Sequence, residues 1–154
     1  IMPIKTSDMH MLLTKWANGN QEAAEFLSNI AALARLADDI ADGDSKDTAA
    51  DVAHLLHRSL ITNSENGFFR QHQAALTPVM ANAILMWLKS EQWRKSDNRK
   101  TRMFAFVYRE GVEHLAHITA FLTGGIAHAA EVMDDLHQRS HQSSDETFED
   151  WEKE

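Results

Sequence analysis

The sequence predicts an all-α protein, a compact antiparallel bundle of about six to seven helices. Three observations carry this. Alanine and leucine are abundant, while only six glycines and two prolines interrupt 154 residues, a balance that favours helix over sheet. Apolar residues recur at intervals of three and four along the longer segments. Residues that cap helix starts and glycines that end helices alternate along the chain.

In order, Ser7 is placed to cap a first helix that runs to about Ala17 and ends in "NGN". Asn20 caps a second, which reaches Ala41 or Asp42 before Gly43. Phe26, Ile30, Leu33, Ala37 and Ile40 give that helix one apolar face. Ser45 or Asp47 opens a third helix ending near Leu60, and "TNSENG" reads as a loop. "FFRQHQAAL" is a short fourth segment. Thr77-Pro78 then combines a cap with proline at the first helical position, which starts a fifth helix ending near Lys95. Asp97 caps the sixth and longest, running to about Thr123 before Gly124-Gly125. Its apolar face holds Phe104, Val107, Tyr108, Leu115, Ile118 and Leu122, with Glu110, Glu113, His114 and His117 across from it. A seventh covers Ala127 to about Gln138. Residues 1–141 therefore form a single domain. Residues 142–154 form an acidic tail expected to be mobile.

Composition bounds the function. The chain is 44% hydrophobic and 25% charged, an ordinary soluble balance. Cysteine is absent, so neither a disulfide framework nor a thiolate metal site is available. The opening "IMPIKTSDMH" lacks the apolar core of a signal peptide. No apolar stretch approaches the roughly 20 residues that span a bilayer. A cytoplasmic protein without a membrane partner is expected. The net charge of −8 argues against a general nucleic-acid partner. The charge is uneven: "DETFEDWEKE" carries six acids and one lysine, whereas Lys89–Arg102 carries six bases and two acids.

The stretch "LARLADDIADGDSKD" concentrates the acids. Asp38 and Asp42 stack one turn apart on an edge of the second helix, and Asp39 points further round. Carboxylates at this spacing repel, and acids at a helix C-terminus oppose the macrodipole. Magnesium takes hard oxygen ligands and completes its shell with water or substrate phosphate. Asp38, Asp39 and Asp42 are accordingly the expected metal ligands, with a solvated helix end as the competing reading. Arg94, Lys95, Arg99, Lys100 and Arg102, at a helix start, are the expected phosphate-binding set. Glu110, Glu113, His114 and His117 have a spacing suited to shared ligation. The Glu-x-x-His repeat of di-iron bundles is missing, so solvated histidines are favoured there.

"RLADDIADGD" resembles the first aspartate-rich motif of squalene and phytoene synthases and, more loosely, the DDxxD of prenyl diphosphate synthases. That resemblance implies magnesium bridged to a diphosphate by Asp38, Asp39 and Asp42, with Asp134-Asp135 standing in for the second motif. Glu22-x-x-Glu25 and Asp39-x-x-Asp42 resemble the paired acidic motifs of all-α nucleotide pyrophosphohydrolases of the MazG and dimeric dUTPase type. The whole chain is also similar to small helical proteins of bacteriophages. The expected function is magnesium-dependent binding, hydrolysis or transfer of a diphosphate-containing small molecule. The alternative is a non-enzymatic, phage-type accessory or assembly protein acting through helix-mediated homo-oligomerisation.

Overall fold

The computed structural model describes residues 6–154, which hold seven helices and no strand. Helix α1 (Thr6–Trp16) ends in a turn over Ala17–Asn20, and Ser7 lies inside it rather than before it. Helix α2 (Gln21–Asp42) begins as the sequence predicts, with the Asn20 side chain accepting a hydrogen bond from the Ala23 N–H, and Gly43 closes it. Helix α3 (Thr48–His57) is capped by Asp47, whose carboxylate accepts from the Ala50 N–H.

Most of the loop expected at "TNSENG" is helical, and only Asn66 (φ −69°, ψ 123°) breaks the chain before Gly67. A π turn over Arg58–Thr62 and a last turn over Asn63–Glu65 extend α3. Ser59 donates to the Leu55 carbonyl and Ser64 to those of Leu60 and Ile61. Back-bonded in this way, the polar side chains satisfy helix carbonyls rather than ending the helix.

Helix α4 (Gly67–Trp93) joins the two segments expected on either side of Thr77-Pro78. Pro78 lies inside it, and the break falls at His72 (φ −112°, ψ 19°). Proline removes one backbone bond and crowds the carbonyl four residues earlier, and such strain is taken up as a kink on its N-terminal side.

The longest expected helix is in fact two. Helix α5 (Arg99–Tyr108) is capped by Asn98, not Asp97. Tight turns over Arg109–Val112 separate it from α6 (Glu113–His137). Gly111 sits in that break against α4, where an added Cβ would meet Met86 Cβ and Sδ at 3.0 Å. The change of direction divides the expected apolar face. Leu115 is 3% exposed, whereas Phe104 and Val107 are 60% and 62% exposed, and Ala105 is the buried residue of α5.

Gly124-Gly125 breaks the helix as expected. Gly125 (φ 81°, ψ −176°) lies in backbone space open to glycine, and α6 folds back on itself there. Thr123, just before the turn, accepts a hydrogen bond from Asn18, and beyond it His128 reaches the Trp16 carbonyl and Asp135 the Trp16 indole. The core lies where α1, α2, α4 and both arms of α6 meet, around Trp16, Phe26, Phe68, Leu76, Leu115 and Leu136.

The acidic tail, expected to be mobile, carries a short helix that packs on the bundle. Thr147 and Asp150 form a capping box at the start of α7 (Phe148–Lys153). Phe148 and Trp151, three residues apart, form a small apolar face that docks on Phe106 with ring centroids 5.7 and 5.3 Å away. Trp151 is 4% exposed, and the Arg94 guanidinium lies over its ring at 4.8 Å. Four ion pairs join the tail to arginines in α5 and just past the ends of α4 and α5: Arg94–Glu154, Arg99–Glu149, Arg102–Glu152 and Arg109–Glu146. Arg99–Glu149 is exposed on both sides and so worth little, and the buried indole is the anchor. Trp151→Ala should cost about 3 kcal/mol or more and lower the melting temperature by roughly ten degrees. A shift of a degree or two in thermal unfolding would show that the tail does not dock.

Candidate metal centre

The residues expected to hold magnesium do not converge. Asp38 Oδ1 accepts a hydrogen bond from the Trp87 indole N–H at 2.8 Å. Burial pushes its carboxyl above the usual range against the pull of that bond, and Asp42 adds to the rise. Asp42 is exposed, and Asp39 faces a cleft towards α3. Asp135, proposed for a second acidic motif, is occupied by the Trp16 indole and by Arg139. Glu22, Glu25, Asp39 and Asp42 all lie on the one unbroken α2. Of the expected phosphate ligands, Arg94, Arg99 and Arg102 are engaged by the tail's carboxylates. Lys95 and Lys100 are exposed and form no ion pair among the described residues.

Elsewhere three ligand groups do converge. Glu110, Glu113 and His141 each offer one atom, and these atoms lie within 4.8 Å of one another. No other such group of His, Asp and Glu occurs among the described residues. Three backbone features assemble it. Glu110 stands in the break between α5 and α6, Glu113 opens α6, and His141 lies in the π turn (Gln138–Gln142) that extends α6. Glu113 and His141 are 28 residues apart in sequence, yet Glu113 Oε1 and His141 Nε2 are 2.7 Å apart. In a straight helix that separation would be about 42 Å. The reversal at Gly125 brings them together.

The side chains are well shielded: Glu110 is 16%, Glu113 11% and His141 28% exposed. Burial, and then the neighbouring Glu110 charge, push the Glu113 carboxyl up to about 8. Burial also raises Glu110, against the pull of Arg109, whose Nε lies 3.3 Å from Glu110 Oε1. Two carboxyls and an imidazole packed this closely lack positive charge at their centre. One turn along α6, burial and the adjacent His114 depress His117 to about 4, so its imidazole is neutral.

Periodicity finds two of the three ligands. Glu110 and Glu113 share the face on which shared ligation was considered, but their partner is His141 rather than His114 or His117. No spacing rule links positions so distant in sequence, and only the turn at Gly124-Gly125 hints at the pairing. Comparison of the chain with protein-family models, curated proteins and solved structures finds no match.

The raised carboxyl has a consequence for stability. Folded Glu113 holds its proton more tightly than the unfolded chain, where the ordinary value is 4.5. Its contribution to stability is therefore full below that value and is lost as pH rises through about 8. Glu113→Gln should melt close to the wild type at or below about pH 4.5, where the carboxyl is protonated in both states. Above about pH 8 it should be the more stable protein, by on the order of 1–2 kcal/mol after solvent screening. A variant equally destabilised at both pH values would contradict this electrostatic picture.

Proposed function

We propose that this protein binds a divalent first-row transition metal through Glu110, Glu113 and His141. The observation that carries the reading is the convergence of three ligand atoms within 4.8 Å from separate turns of backbone. Carboxylate oxygen alone suits magnesium, whereas an added imidazole suits zinc, manganese or iron. Three protein ligands leave coordination positions for water, the arrangement of catalytic rather than structural zinc sites. A cation there offsets the repulsion between Glu110 and Glu113 and draws the proton from Glu113. A metal so held lowers the pKa of bound water and polarises a phosphoryl or carbonyl oxygen, so metal-assisted hydrolysis is the chemistry the site supports. The magnesium–diphosphate reading of Asp38, Asp39 and Asp42 has less support, since Asp38 is bonded to Trp87 and most of the expected phosphate ligands face the tail.

Calorimetric titration of the full chain with zinc tests the proposal. One site is expected, and proton uptake by the buffer should accompany binding because the ligands must be deprotonated. Glu113→Gln and His141→Ala should each weaken that site at least about tenfold, with circular dichroism verifying the fold. Exposed histidines bind zinc loosely in any protein, so the variants decide the result. Equal affinities in wild type and both variants would overturn the proposal.

A further inference from the structure

A second candidate site lies between α2 and the extended α3. The cleft between α2 and the extended α3 has a volume of about 520 Å³, within the range of small-molecule pockets. Arg35, Leu36 and Asp39 line one wall, one turn apart on α2. His54, His57, Arg58 and Thr62 line the other. The second wall depends on the π turn. Its i→i+5 geometry turns residues five apart towards the same side, and Thr62 Oγ1 accordingly meets His57 Nδ1 at 3.3 Å.

Two of the cleft's side chains are arginines left without a counter-charge. Arg94, Arg99, Arg102, Arg109 and Arg139 each pair with a carboxylate. Of the three arginines without a carboxylate partner among the described residues, Arg35, Arg58 and Arg70, the first two line this cleft, although the chain is net −8. Both face the same cavity. Arg58 is also positioned from behind. Asn29, 5% exposed, accepts from Arg58 Nη1 at 3.3 Å and donates to the Arg58 carbonyl at 3.1 Å. A buried amide spent on aiming a guanidinium into a cleft is a built feature, unlike a loose surface arginine.

We infer that this cleft binds a small phosphate-bearing ligand. Arg35 and Arg58 supply charge and forked donors matched to phosphate oxygens. His54 and His57 add imidazole donors, and Leu36 offers an apolar surface to the rest of the molecule. Asp39 belongs here as an acceptor for a ligand hydroxyl or amine. The inference is independent of the metal centre, which lies on α6 and the turns flanking it.

The test is titration of the full chain with inorganic pyrophosphate and, separately, with a nucleoside diphosphate, at physiological ionic strength. Both should bind at one site. A tighter nucleoside diphosphate would identify an esterified ligand using the Leu36 surface, and equal affinities a free oxyanion. Arg35 and His54 are exposed, so Arg35→Gln with His54→Gln should fold normally and weaken binding by about tenfold or more. Lys100→Gln, in the basic stretch of α5, should bind as the wild type does. The inference is overturned if neither probe binds at millimolar concentration. It is equally overturned if the double variant matches the wild type, or if Lys100→Gln weakens binding as much as the double variant.

Discussion

The backbone at Gly125 constrains everything downstream of it. At φ 81° and ψ −176° a side chain would be strained by on the order of 1–3 kcal/mol, and the glycine accepts the conformation without that cost. The reversal it permits lays the second arm of α6 against α1, where Asp135 and His128 anchor to Trp16. It also carries His141 to Glu113. One residue's conformational freedom thus fixes both the closure of the core and the composition of the metal centre.

A second break completes the centre. Gly111 lets the chain approach Met86 closely enough that even a methyl group would crowd it, and the turn around it aims Glu110 towards Glu113. Packing pulls these residues together while electrostatics opposes them. Burial raises both carboxyls and their mutual repulsion raises Glu113 further. Arg109 relieves only part of this, because its guanidinium is shared between Glu110 and Glu146 of the tail. The folded protein therefore holds a shielded pocket in which Glu113 keeps its proton up to about pH 8, a proton that a divalent cation would displace.

Much of the fold was legible in local chemistry. Asn20, Gly43, Asp47 and Gly124-Gly125 mark helix ends because capping and glycine geometry act over a few residues. Elements that tertiary packing decides were not legible. The break at Arg109–Val112 depends on the approach of α4, and the helical turns that reach Glu65 within "TNSENG" depend on serines bonding backwards. The tail's order comes from an aromatic pair finding Phe106 and four arginines, a match between segments about fifty residues apart. For the same reason the acids of the candidate centre were noticed and their histidine was missed. The aspartate-rich stretch drew attention by local density, yet its members are divided between an indole, solvent and the α2–α3 cleft.

The two sites differ in character. The centre at Glu110, Glu113 and His141 is shielded and short of positive charge, while the α2–α3 cleft is open and carries two arginines without carboxylate partners. They give one small helical domain separate places for a cation and an anion. Anomalous diffraction from crystals of the zinc-loaded protein tests the central claim most directly. A single strong peak is expected between Glu110, Glu113 and His141, about 2.0–2.2 Å from the nearest carboxylate oxygens and from imidazole nitrogen. Peaks confined to surface histidines or to Asp38, Asp39 and Asp42, with none between these three side chains, would contradict it.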